Sequence, residues 1–328
     1  MSPILERSSH ILAICLPIFA LIGLGWWLRR SGALSEAAHG FISRFVYAFC
    51  LPILIFREVS KQNFEALIQG SVIASTLGAV ALLAISFPLI ARICRISPSI
   101  RAPFAYGSFW SNLSFIGFPL ADAAFPNGGL EAAAIVNAFC MPVMVIIGTM
   151  LLATDAPGMG NLRDRIKGAI WNPVVMASIL GIVTALLLDV SGLRTVEHPA
   201  LGHATNALMK FMELAGNPGL PLALIAVGAS LHGANVRAAL GPLLGSVGAK
   251  VILMPLLALI IFEIFFPGAN AVLRGTAVLL MATPHAVAGY VICRESGCDP
   301  TFPAAHLVLS TLISCVTIPI WLYVVLPT

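Results

Sequence analysis

SFIGFPLADAAFPNGG, residues 114–129, decides how this chain is read. Its flanks are apolar enough for a membrane helix, yet it holds Gly117, Pro119 and Asp122 and ends on Pro126-Asn127-Gly128-Gly129. Proline removes an amide donor and clashes with the preceding turn. Inside lipid an interrupted backbone is tolerated only where protein buries it or a watery cavity bathes it. The stretch therefore predicts a broken helix. A half-helix starting near Pro119 would turn unpaired N–H groups and a positive dipole end toward the break.

The rest of the chain supports a membrane setting. Of its residues, 59% are hydrophobic and 10% charged, against about 25% charged in soluble domains. A span needs about 20 mostly apolar residues. Ten such segments are present, at about 11–28, 38–56, 71–91, 103–125, 130–153, 168–189, 205–231, 240–266, 271–293 and 302–326. The first is expected as a retained span, because Arg7 precedes it and no small-residue cleavage site follows. Seven cysteines, mostly within apolar runs, read as packing residues rather than a disulfide or zinc framework. No metal or other cofactor is expected. The net charge of +4 fits basic membrane loops and gives no nucleic-acid signal.

One polar linker, Asp155–Lys167, splits the segments five and five. The halves share a pattern: Pro17 with Gly25 against Pro173 with Gly181, Pro52 against Pro221, and Pro119 against Pro284, at offsets of 156, 169 and 165. The expected fold is an all-α integral membrane protein of ten transmembrane helices. It comprises a first repeat (1–153), a cytoplasmic linker (154–167) and a second repeat (168–328), inverted because five is odd. Interruptions at matched positions of inverted halves point to a transporter binding site, here a crossing of broken helices four and nine. Facing N-terminal ends suit an anion, a carboxylate above all.

Basic residues set the orientation. With the N-terminus outside, the cytoplasmic loops hold ten cations (Arg29, Arg30, Arg92, Arg95, Arg101, Arg163, Arg165, Lys167, Arg237, Arg294) and the outer side five (Arg7, Arg57, Lys61, Arg194, Arg274). Both termini are accordingly expected on the non-cytoplasmic side. Trp26, Trp27, Trp171 and Trp321 lie near span ends, as interfacial anchors would.

The stretch Asn112-Leu-Ser-Phe-Ile-Gly117-Phe-Pro119-Leu resembles the Asn-x4-Gly-x-Pro crossover of the auxin efflux carrier family. Ala282-Thr-Pro284-His285-Ala-Val-Ala-Gly-Tyr-Val-Ile-Cys-Arg294-Glu295 is similar to its second-half counterpart. RRSGALS after span one and LALIAVGASL closing span seven resemble bacterial members. The resemblance runs from about residue 11 to 326. It implies a scaffold of spans 1, 2, 6 and 7, a mobile transport domain of spans 3–5 and 8–10, substrate at the crossover, elevator-type alternating access and a homodimer through the scaffold. It also implies a bacterial cytoplasmic-membrane carrier of small organic anions. Plant members join their halves by a long loop; the short linker here is that of bacterial relatives, associated with malate, malonate and similar acids.

The residues expected at the substrate are Asn112, Ser114, Gly117, Pro119, Thr283, Pro284 and His285. Asn112 lies two turns before Pro119, on roughly the same face. It has an alternative role as a bond to a neighbouring helix, and Ser114 as a back-bond to its own. Asp122, placed in the first turn after Pro119, is either a proton acceptor coupled to the bound anion, or a residue that caps its helix or reaches the outer surface before Pro126. His285 is either a substrate donor and coupling group or a helix-to-helix bond. Lys210, Glu213, Lys250 and Glu263 lie closer to span ends and are expected to snorkel or pair. Two other functions compete. A sodium-coupled symporter of the bile-acid type would want several oxygens near the break. An intramembrane enzyme would want clustered acids or a paired His and acid.

Overall fold

The computed structural model describes residues 3–62, 70–152, 171–191, 199–231, 239–295, 298 and 301–326, and their regular elements are all helical. The Asp155–Lys167 linker lies outside the described residues. In chain order the helices are α1 (Pro3–Arg30), α2 (Glu36–Ser60), α3 (Gly70–Ile93), α4 (Pro98–Phe109), α5 (Leu113–Ala124), α6 (Gly129–Leu152) and α7 (Pro173–Val190). They continue with α8 (Pro199–Gly216), α9 (Gly219–Ser230), α10 (Leu240–Phe265), α11 (Ala271–Ala282), α12 (Val287–Glu295) and α13 (Thr301–Val325). Among the described residues, eight helical stretches are long and apolar enough to cross a membrane, α8 and α9 counting as one. The fourth and ninth segments are interrupted, giving α4–α5 and α11–α12.

Exposed side chains show which surfaces meet lipid. On α3, Leu82, Ile85, Leu89 and Ile93 are exposed and recur every three to four residues, a single helical face. The opposite stripe, Val72, Ser75, Ala79, Leu83 and Phe87, is buried. Leu16, Val190, Phe265 and Val316 are likewise more than half exposed. Such apolar exteriors fit a bilayer, where chain contacts rest on close packing rather than on water exclusion. Trp27 and Trp171 are exposed, whereas Trp321 is buried and donates from Nε1 to Val251 O at 3.0 Å. The fourth expected anchor is therefore a structural bond, because Trp321 turns inward to a carbonyl in a widened π-helical turn of α10.

The helices pack in two groups. α1 lies along α9, and α7 and α8 lie along α2. Glycines set these approaches: a Cβ at Gly228 would stand 1.8 Å from Ile22 O, and one at Gly25 2.0 Å from Ile225 O. Gly181 meets Val59 at 2.9 Å in the same sense. Two of the repeated glycines thus have a packing reason. Arg57 ties α2 to α8 through Glu213 at 3.2 Å and also holds the buried Glu58 at 2.5 Å. In the other group, α3, α4, α6, α10, α11 and α13 enclose a core rich in Phe, Met and Ala around Tyr106, Phe109 and Trp110. The interrupted segments reach from this group to the first: α5 touches α1 and α9.

Candidate functional site

The two interruptions are bonded to each other. After α4 the chain runs extended through Trp110 and Ser111, and Asn112 N–H donates to Pro284 O at 2.9 Å. Ser111 and His285 form an antiparallel bridge. Backbone groups freed by one break are thus satisfied by the other, the accounting that a membrane interior demands. Asn112 starts α5 as its N-cap, with Oδ1 accepting from Phe115 N–H at 3.2 Å. The first turn is a π-turn, closed by Gly117 N–H to Asn112 O at 3.0 Å. On the other side Thr283 is extended and its hydroxyl donates to Leu280 O at 2.7 Å.

The break therefore lies at residues 110–112, seven residues before the expected start at Pro119. Pro119 sits at the second residue of the regular α stretch Phe118–Ala124, where a missing donor costs little. Gly117 serves packing rather than bending: a Cβ there would stand 2.4 Å from Leu280 Cδ2 of α11. Asp122 consequently lies near the C-terminal end of α5 rather than in its first turn, on the side where the dipole disfavours a carboxylate.

Beside the paired breaks is a cavity of about 420 Å³. Both half-helix starts open onto it, through Leu113–Phe115 and through Ala286, Val287 and Ala288. The amides of Leu113 and Ser114 precede the first intrahelical bond of α5. Asn112 is 2% exposed and its Nδ2 has no partner. One face of α2 completes the wall with Gly40, Ser43, Arg44 and Tyr47, and Asn172 Nδ2 donates to Tyr47 Oη at 2.6 Å. Among the described residues no Asp or Glu lines this cavity. Among the described lining the charge comes from Arg44 and the two positive helix ends, an arrangement that suits an anion.

The expected site residues separate into three places. Asn112 and Ser114 line this cavity, although the Ser114 hydroxyl donates to Asn137 Oδ1 at 3.1 Å. Pro119 and Asp122 line a second cavity of about 600 Å³ with Arg57, Glu58, Lys61, Glu131 and Glu213. Gly117, Thr283, Pro284 and His285 line neither. His285 is 1% exposed, its N–H donates to Ser310 Oγ at 3.1 Å, and its ring packs against Tyr106 and His306 at 5.6 and 4.9 Å. That ring faces the interior of the second helix group, not the cavity.

Around His285 lies a buried polar island. Lys250, fully buried, donates to Met281 O at 2.6 Å, one residue before the end of α11. The Ser246 hydroxyl donates to Phe104 O at 2.7 Å, so it accepts from His306 Nε2 at 3.1 Å and leaves Nδ1 unpartnered. Lys250 thus does not snorkel, because its place in the inward π-turn of α10 gives it no path to the surface. Lys210 pairs with Glu213 at 3.0 Å and Glu263 with Arg274 at 2.8 Å. Among the described residues no group of His, Cys, Asp and Glu is placed to hold a metal ion.

Arg44, Tyr47 and Asn172 are the cavity-lining residues that sequence reasoning passed over as site members. The available signal was the 40, 43, 44, 47 spacing, which places Arg44 and Tyr47 on one face of span two.

The family model described as Membrane transport protein matches residues 10–162 and 159–322. An uncharacterized transporter of Methanothermobacter thermautotrophicus is 24% identical, covering 93% of this chain and 95% of its own. A "Putative malonate transporter" of Rhizobium meliloti (strain 1021) is 22% identical over 97% and 96%. Uncharacterized transporter YfdV of Escherichia coli (strain K12) is 25% identical over 94% and 96%.

Proposed function

This chain belongs to the Membrane transport protein family, that of the auxin efflux carriers, and on that premise we propose that it is a secondary carrier of small organic anions. One observation carries the reading: two half-helix starts open onto a single cavity whose described lining, Asn112 included, holds no Asp or Glu. A carboxylate there takes hydrogen bonds from groups already oriented and otherwise unsatisfied. The R. meliloti relative's name supports malonate-like acids as candidates.

In this reading α1, α2 and α7–α9 form the scaffold, and α3–α6 with α10–α13 form a transport domain that shifts against it. The halves are inverted repeats, the paired breaks are the crossover, and the protein works as a homodimer through the scaffold in a bacterial cytoplasmic membrane. Movement is of the elevator type, since the substrate-holding breaks sit on one helix group and Arg44, Tyr47 and Asn172 on the other. The buried histidines and Lys250 are part of the moving body, where His285 is a candidate for coupling; Asp122, in the second cavity, is the other.

Purified protein in proteoliposomes tests the function. Labelled malonate should accumulate saturably, and imposing sodium or proton gradients in turn should show which, if either, drives it. Absence of carboxylate flux with a sodium gradient, with a proton gradient and with neither overturns the proposal.

A further inference from the structure

Among the described residues Lys250 is the one fully buried lysine or arginine. It sits in the π-helical turn Ala249–Leu253 of α10 and donates to Met281 O at 2.6 Å. The one buried carboxylate among the described residues is Glu58, which lines the other cavity with Arg57 and Lys61. No acid therefore stands against Lys250. The elements packed on its turn include α4, α11 and α13. The titratable groups that they and the second break bring to the island are Tyr106, His306 and His285, with the buried Cys293 of α12 near Tyr106. Arg101 and Arg274 of the same elements are engaged elsewhere, by Ile96 O and Glu263. An ionisable group inside a membrane segment is costly unless it pairs or serves a pathway.

From this juxtaposition we propose that Lys250 carries the coupling proton of the carrier, taken up with the bound anion and released with it. The inference rests on the carboxylate-carrier reading and names the group that couples it. A neutral amine donates to Met281 O and keeps its lone pair. A proton from water adds to that lone pair, and the ammonium returns it to water when the anion leaves. The ammonium has three donors, of which Met281 O takes one. His306 Nδ1, whose ring donates from Nε2, and the ring nitrogens of His285 have no partner among the described residues. The island thus holds acceptors for the other two donors. What it lacks is an opposite charge, and an unbalanced ion there is costly. The occupied break supplies it. Met281 is the second-last residue of α11, three before the Pro284 whose carbonyl takes Asn112 N–H. A carboxylate on the helix starts therefore stabilises the charged amine across a low-dielectric interior, and the linkage is reciprocal.

Equilibrium binding of malonate to the purified protein tests this, measured across pH above about 7, where carboxylic acids are ionised. Wild-type affinity should fall as pH rises, toward about tenfold per pH unit, the limit for one linked proton. Lys250→Met should bind more weakly and without that slope. Lys250→Arg, charged throughout, should bind without the slope as well. A lysine that only ties α10 to α11 would leave the slope in place. His285→Gln and Asp122→Asn keep Lys250 and should keep the slope, a reading that stands if neither Lys250 variant folds. The assignment is overturned by a pH-independent wild type, by a slope that survives Lys250→Met, or by a slope lost in His285→Gln or Asp122→Asn. Each of those results leaves the carrier reading in place. Failure to bind malonate at any pH removes the carrier reading itself.

Discussion

Asn112 carries two groups on one amide, one engaged and one without a partner. Its Oδ1 caps α5 through Phe115 N–H, and its Nδ2 lies buried at the cavity with no partner. Substitutions separate the two roles. Asn112→Ala should weaken carboxylate binding by about 1–3 kcal/mol and destabilise the protein by about 0.5–2 kcal/mol through the lost cap. Asn112→Asp keeps the cap, so any loss of stability comes from the buried charge rather than the helix start, and it places a carboxylate against the bound anion and should abolish binding. An Asn112→Asp protein that binds malonate as well as wild type would remove Asn112 from the site. Asn112 was legible because a lone amide seven residues before Pro119 is conspicuous. Arg44 was not, because one cation leaves span two hydrophobic enough to read as an unbroken helix. His285 misled in the other direction: its neighbour Pro284 pairs with Asn112, but the ring turns toward Tyr106 and His306. Sequence adjacency to a break does not fix the direction of a side chain.

At the scale of elements, the helix breaks were legible in number and approximate position, and their boundaries were not. Proline marks a missing donor, but Pro119 lies inside α5, just after its opening π-turn, while the N-cap Asn112 marks the helix start. Pro284, by contrast, stands in the break itself. That difference moved Asp122 to the far end of α5 and into the second cavity. Helix-to-helix approach was less visible still. Gly25 and Gly181 were noticed as repeat markers, but nothing in one sequence pairs Gly228 with Ile22. The contact gives a prediction at this scale. Gly228→Val would drive a side chain into the α1 backbone and should cost about 1–3 kcal/mol or more, read as a lowered melting temperature in detergent. Gly23→Ala, where the added methyl meets nothing within 4 Å, should leave melting unchanged or raise it by replacing a helical glycine. Equal effects of the two would mean that α1 and α9 do not meet through these glycines.

Across the whole molecule, the two cavities lie toward opposite ends of α2. Arg44 borders one and Arg57 the other, thirteen residues and about 20 Å apart along the helix. Between them, α5 runs from Asn112 in the first cavity to Asp122 in the second. An alternating-access carrier needs such a pair of vestibules, one for each side of the membrane, with the substrate groups exposed to one at a time. The Asn112 groups face the Arg44 vestibule here. On the orientation expected from the excess of loop cations, that vestibule would face the cytoplasm. In a protein with Cys94 and Cys315, the two exposed cysteines, replaced by serine, Ser43→Cys should therefore react with an impermeant thiol reagent only in inside-out vesicles. Lys61→Cys should react only in intact cells. Since Ser43 shares its helix face with Arg44, saturating malonate should slow its labelling while leaving Lys61→Cys unaffected. Labelling of Ser43→Cys from outside intact cells would reverse the assigned orientation, and labelling of both positions from one side would show that the cavities do not serve opposite faces of the membrane.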